Sequence, residues 1–105
     1  MSSDEIARIR RDADSALWGL FAEVRELPDV DEWQEMPERA REAFDYYWSS
    51  ECMANDLGAL EHWHREGVLS GEQEERYALL KAELEEALPI IDKLGLARPG
   101  EILER

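Results

Sequence analysis

The sequence predicts an all-α fold: an antiparallel three-helix bundle that runs up, down and up, with a long central helix. Apolar residues recur at helical spacing, capping residues stand at the segment ends, and no stretch shows the two-residue alternation of a β-strand. A connection of only three residues, Gly67 to Leu69, requires the second and third helices to lie antiparallel. We expect a single domain over residues 1–105.

The first helix is predicted over about residues 3–27. Ser2 and Glu5 form a capping box at its start, and Pro28 follows its end. A loop over 28–36 then leads to the second helix. The apolar stripe that should face the core has near-heptad spacing and consists of Ile6, Ile9, Ala13, Leu17, Leu20, Val24 and Leu27.

The second helix is predicted over about residues 37–66, since Pro37 suits a first helical turn and Gly67 suits the end. At 100° per residue this helix has two apolar faces about 120° apart, as a central helix with two partners needs. One face consists of Ala40, Phe44, Tyr47, Ala54 and Gly58, and the other of Tyr46, Met53, Leu57 and Leu60.

The third helix is predicted over about residues 70–94. Ser70 and Gln73 form its capping box, and Gly95 is placed to end it in the left-handed conformation. Pro89 lacks an N–H and clashes with the preceding turn, so we expect a kink there.

A third stripe on the central helix has no partner within this bundle. Trp48, Cys52, Ala59 and Trp63 lie within about 60° of one another at helical spacing and are predicted to point outward. Trp18 lies off the core stripe of the first helix, and antiparallel register places it beside Trp48. Contiguous exposed tryptophans are uncommon on monomers and anchor many interfaces. We therefore predict a protein interface here, most simply that of a homodimer.

The C-terminal segment offers an alternative role for these tryptophans. Residues 97–105 can form a short fourth helix, with Ile102 and Leu103 folding back over the tryptophans so that they join the core. Cys52 is likewise typical of a small buried apolar residue. The sequence leaves both arrangements open.

The charge excludes two classes of partner. With 26 acidic and 12 basic residues the chain carries a net charge of −14, which repels nucleic acids and anionic membrane surfaces. No apolar stretch approaches the roughly 18 residues of a membrane span. A single cysteine and an acidic N-terminus without an apolar run predict a cytoplasmic protein, and the preference for Arg over Lys favours a prokaryotic source.

One pair of residues has the spacing of a metal site. Glu61 and His64 form a Glu-x-x-His motif, which resembles the half-sites of ferritin-like di-iron bundles. A single copy requires a site completed across a dimer, with Glu51 as a further ligand. The competing interpretation is that His64 lies in the last helical turn because the helix dipole favours an imidazolium there.

A second set of carboxylates resembles the motif of a known family. Glu23 and Glu26 are followed at a distance by Glu42 and Asp45, which resembles the paired acidic motifs of MazG-type nucleoside triphosphate pyrophosphatases. The resemblance implies a magnesium site between antiparallel helices. The predicted helix phase places Glu42 and Asp45 away from the first helix, so the two pairs do not converge in the expected bundle.

The sequence has no clear catalytic motif: it lacks a glycine-rich phosphate loop, cysteine or histidine pairs at zinc spacing, and a nucleophile triad. We expect no cofactor. The sequence predicts a small acidic protein that acts by protein–protein contact, with itself or another protein, as an adaptor, regulator or inhibitor. A specific version is an inhibitor that competes for the basic groove of a nucleic-acid-binding enzyme.

Overall fold

Helices make up most of the chain over residues 1–104, the part that the computed structural model describes, and no strand occurs there. The prediction of an all-α fold is therefore confirmed. The elements in chain order are α1 (Ser3–Arg25), α2 (Val30–Glu35), α3 (Glu38–Tyr47), a π-helix (Trp48–Leu57), α4 (Gly58–Glu66), α5 (Gly71–Glu86), α6 (Leu88–Leu94) and α7 (Gly100–Leu103).

The helix ends follow from their capping residues. The Ser2 hydroxyl accepts a hydrogen bond from the backbone N–H of Glu5 at the start of α1. Both halves of the Ser70 and Gln73 capping box are formed at the start of α5. α4 ends at Gly67 and α6 at Gly95, with φ values of 71° and 70° that glycine adopts without steric cost.

Two segments differ from the sequence prediction. The stretch 28–36, predicted as a loop, contains α2, because the Asp29 carboxylate caps it by accepting a hydrogen bond from the N–H of Glu32 at 2.7 Å. The expected kink near Pro89 is a full break between α5 and α6. Pro89 stands near the start of α6, where a missing N–H costs nothing.

The central helix, 38–66, is continuous but its middle is a π-helix. In a π-helix each N–H bonds to the carbonyl five residues back, so each turn holds more residues than an α-helical turn. Angular positions calculated for an α-helix therefore drift across Trp48–Leu57. Residues on the two sides of this segment do not keep the shared face that the sequence pattern predicts.

The core lies between α1, the central helix, α5 and α6. The buried apolar residues include the expected stripe of α1 from Ala13 to Val24 and, on α5, Tyr77, Leu80 and Leu84. The largest side chains that are less than 2% exposed are Trp48, Tyr77, Leu17, Leu20, Met53, Leu57, Leu60, Leu80, Leu84 and Ile91.

Gln73 joins the start of α5 to α1. Its side chain is 4% exposed, and its amide Nε2 donates to the Arg10 carbonyl at 2.7 Å and to Asp14 Oδ1 at 2.8 Å. Its Oε1 accepts from the Ser70 N–H. Gln73 is the one buried polar residue within residues 1–104. These side-chain hydrogen bonds satisfy its amide within the chain.

Replacing Gln73 with alanine is expected to lower the free energy of unfolding by about 2 kcal/mol, because each lost hydrogen bond contributes about 1 kcal/mol and the buried partner groups stay unsatisfied. Urea denaturation followed by circular dichroism measures this loss. The matched control is Gln34→Ala at an exposed position of α2, expected to stay within about 0.5 kcal/mol. Equal losses for the two variants would contradict the assigned role of Gln73.

Candidate interaction surface

The most exposed tryptophan lies on α1 beside α5. Trp18 is 74% exposed and lines an open groove with Asp14, Ser15 and Arg76. Leu79, one turn beyond Arg76 on α5, is 53% exposed. We call Trp18 and Leu79, with the groove between their helices, the Trp18 surface. Two large apolar side chains thus face water on adjoining helices.

Two ion pairs between α1 and α5 bracket the Trp18 surface. At one end Arg76 Nη1 lies 3.6 Å from Asp14 Oδ1. At the other end the Arg25 guanidinium donates two hydrogen bonds of 2.9 Å to the Glu83 carboxylate, which lowers the pKa of that carboxyl. Each ion pair joins one cation to one anion, so these four charges add no net charge to the Trp18 surface of a chain whose net charge is −14.

Trp48 does not belong to this surface, and the prediction that it points outward is wrong. Its side chain is 0% exposed, stacks on Phe44 and donates from Nε1 to the Ala97 carbonyl at 2.8 Å. The covering segment is the C-terminal one, with Ile102 and Leu103 packed against the core. The alternative left open by the sequence therefore holds for Trp48.

Cys52 also lies inside, at 1% exposed, so the prediction that it points outward is wrong as well. Burial and the negative charge of Glu23 on α1 raise the pKa of the Cys52 thiol to about 12. The reasons for the two errors differ: Trp48 is the first residue of the π-helix and is buried because the C-terminal segment covers it, whereas Cys52 lies within the π-helix, where α-helical spacing no longer gives the direction of a side chain.

Trp63 and Ala59 lie together as expected but face a groove toward α1 and are only partly exposed. The groove has a volume of about 400 Å³. Asp56 lies in it, and burial followed by the nearby charge of Glu51 raises the pKa of the Asp56 carboxyl. Its lining residues are Asp12, Ser15, Ala16, Asn55, Asp56, Ala59 and Trp63. The predicted stripe is thus divided between two environments, the core for Trp48 and Cys52 and a groove for Ala59 and Trp63, while Trp18 lines a separate groove.

The candidate metal ligands have partners within the chain. The Tyr77 hydroxyl donates to Glu61, and Arg65 Nε donates to the same carboxylate at 3.1 Å. Burial opposes ionisation of Glu61, but the Tyr77 hydrogen bond and the neighbouring cations outweigh it and lower the pKa of Glu61. His64 Nδ1 lies 2.6 Å from Glu74 Oε2.

Glu51 is exposed, and its charge acts on Asp56 and Cys52 rather than on the Glu61 and His64 pair. Over residues 1–104 no three acidic, histidine or cysteine side chains form a group that could hold a metal ion within one chain. A site completed across a dimer stays a prediction.

The acidic pairs of the pyrophosphatase-like motif have separate surroundings. Burial together with the charge of Glu26 raises the pKa of Glu23, and the Tyr47 hydroxyl opposes that rise. Glu42 and Asp45 instead line a groove beside Trp33. Within the described part of the chain, the two acidic pairs therefore have different neighbouring residues.

Comparisons with protein-family models, with curated proteins and with solved structures return no match to this chain. Among the helices of residues 1–104, none combines the length and the apolar character needed to cross a membrane.

Sequence reasoning missed Leu79 and Arg76 as members of the exposed surface. Their position on the outward side of α5 follows from the helical spacing that buries Tyr77 and Leu80. The sequence therefore indicated that these residues face outward. It did not indicate that this side of α5 lies beside Trp18, which the ion pair between Arg76 and Asp14 shows in the structure.

Proposed function

We propose that this protein is a small interaction module that acts by protein–protein contact, with the Trp18 surface as its interface and a second copy of the chain as its partner. The observation that carries the proposal is the 74% exposure of Trp18 between two neutralised ion pairs. Covering an exposed tryptophan removes apolar surface from water, which favours binding. Tryptophan also dominates the binding energy of many interfaces.

Local charge supports a second copy as the partner. Two chains of net charge −14 repel each other across most approach directions. Because the four charges of the two ion pairs cancel, they add no repulsion when two copies meet at the Trp18 surface. Adaptor and regulator roles both follow from a dimer whose remaining acidic surface is free for other proteins.

The available area also supports a dimer. α1 has 23 residues, which gives a length of about 34 Å, and two helices side by side are about 20 Å wide. Because α5 has only 16 residues and is about 24 Å long, the face formed by α1 and α5 offers about 600 Å² per subunit, of the same order as the roughly 800 Å² that each partner buries in a typical stable interface.

The arrangement of helices belongs to the same proposal. The order of the ion pairs along α1 and α5, Asp14 with Arg76 and then Arg25 with Glu83, supports an up-down-up bundle in which these helices run parallel. We also propose a cytoplasmic location, since the one cysteine is a free buried thiol.

Replacing Trp18 with alanine is expected to raise the dimer dissociation constant about thirtyfold, because truncating a hot-spot aromatic costs about 2 kcal/mol. Sedimentation velocity over a concentration series measures the constant. The matched control is Tyr46→Ala, which removes an aromatic side chain 71% exposed on α3. The proposed interface would be contradicted if the two variants raised the dimer dissociation constant equally, or if neither raised it.

A further inference from the structure

The Trp18 surface and the two ion pairs that bracket it form three layers along α1 and α5. The ion pairs define the register of the two helices, because each pair joins one residue of α1 to one residue of α5. The hydrogen bond from Gln73 Nε2 to Asp14 Oδ1 agrees with this register. Trp18 follows Asp14 by about one helical turn, and Leu79 follows Arg76 by nearly as much. In chain order, the layers are Asp14 with Arg76, Trp18 with Leu79, and Arg25 with Glu83.

Each layer is complementary to itself. One member lies on α1 and its counterpart on α5, either a cation beside an anion or a tryptophan beside a leucine. A two-fold axis parallel to the helices places α1 of one copy against α5 of its partner, and the same exchange holds in reverse. Each cation then meets an anion, and each Trp18 meets the partner's Leu79.

A two-fold axis perpendicular to the helices does not give this match. It keeps α1 against α1 and reverses its direction, so an ion pair meets a different level of the partner. With the axis at Trp18, Arg25 lies opposite Arg11 of the partner subunit, since both residues are seven positions from Trp18. Like charges that face each other across an interface weaken binding. Charge complementarity therefore favours the parallel axis.

The ion pairs have unused capacity for contacts between copies. Arg25 donates to Glu83 from Nε and Nη2, and these bonds do not use Nη1. Arg76 Nη1 lies 3.6 Å from Asp14 Oδ1, which is beyond hydrogen-bond distance, so its guanidinium keeps donors for a second carboxylate. The Arg25 and Asp14 side chains are each 60% exposed. Bonds to a second copy therefore do not require the pairs within one chain to break.

We propose that two copies associate about a two-fold axis parallel to α1 and α5, so that each layer binds the same layer of the partner. This inference rests on the proposed function, because it takes the Trp18 surface as the place where the copies meet. Trp18 packs on the partner's Leu79 once on each side of the axis, and Arg25 binds the partner's Glu83. The charged layers determine the register, since a shift of one turn would bury charges against apolar side chains.

The test mixes two charge-reversal variants of one layer. Arg25→Glu gives this layer two anions, and Glu83→Arg gives it two cations. Each variant alone should dissociate at least about tenfold more readily than the wild-type dimer, because like charges face each other across the axis. Native mass spectrometry of an equimolar mixture, at concentrations where dimers predominate, should show mainly the heterodimer, whereas random pairing gives half.

The matched control is a mixture of Arg39→Glu and Glu42→Arg, which makes the same charge changes at exposed positions of α3. This mixture should pair randomly. If Arg25→Glu and Glu83→Arg also pair randomly while Trp18→Ala still weakens the dimer, the proposed axis is wrong and the proposed function stands. A wild-type chain that does not dimerise would overturn both.

The apolar layer gives a second test that leaves every charge in place. Trp18→Ala and Leu79→Ala each remove both contacts between Trp18 and the partner's Leu79 from their own homodimers. Their heterodimer keeps one of these contacts intact, so it should exceed half of the dimers in an equimolar mixture. A heterodimer share of half would show that the two side chains do not meet between copies and would overturn the proposal.

Discussion

Replacing Trp48 with alanine is expected to lower the free energy of unfolding by about 3–5 kcal/mol, the cost of removing a fully buried aromatic side chain. Trp48 is 0% exposed, stacks on Phe44 with ring centroids 6.4 Å apart, and donates a hydrogen bond to Ala97. The substitution leaves a cavity and an unsatisfied carbonyl at once. Since a small domain is stable by only about 5–15 kcal/mol, the loss is a large share of the total.

Urea denaturation followed by circular dichroism measures this effect. The matched control is Trp18→Ala in the same chain, expected to change stability by less than about 0.5 kcal/mol because Trp18 is 74% exposed. Both variants are compared below the dimer dissociation constant, where association does not add to the apparent stability. A Trp48→Ala loss no larger than the Trp18→Ala loss would contradict the burial of Trp48.

Native Cys52 is expected to react with a thiol reagent at pH 8 about a thousandfold more slowly than the same cysteine in the urea-unfolded chain. The thiolate is the reactive form, and a rise of the Cys52 pKa from 9.0 to about 12 lowers its fraction at pH 8 by about that factor. Burial at 1% exposure restricts the reagent further.

The same chain in urea is the control for the Cys52 measurement, since unfolding removes both burial and the charge of Glu23. The slope with pH provides a second check, because the native rate should rise tenfold per pH unit well beyond pH 9. Labelling of the native protein within tenfold of the unfolded rate would place Cys52 at the surface and contradict the structure.

The helices themselves could be predicted because their ends depend on local chemistry. Ser70 with Gln73 and Gly95 act through hydrogen bonds and backbone conformations that lie within a few residues. α2 was missed although Asp29 and Glu32 have the same capping spacing, since its six residues carry no long apolar stripe. A capping signal therefore defined a helix start only where an apolar stripe followed it.

The candidate site could be predicted only where helix phase was regular. Trp18 lies on α1, which is α-helical throughout, and its exposure matches the sequence pattern. Cys52 lies within the π-helix, where the angle per residue differs from the one that the pattern assumes, and no residue type in Trp48–Leu57 indicates a π-helix. The burial of Trp48 depends on the C-terminal segment, which is distant in sequence, so helical spacing alone could not predict it.

The proposed function requires the wild-type chain to associate with itself, which sedimentation equilibrium measures. The mass should approach twice the 12.2 kDa of one chain as concentration rises, and Trp18→Ala should remain closer to a single chain under the same conditions. A wild-type mass of one chain throughout the concentration series would contradict self-association through the Trp18 surface.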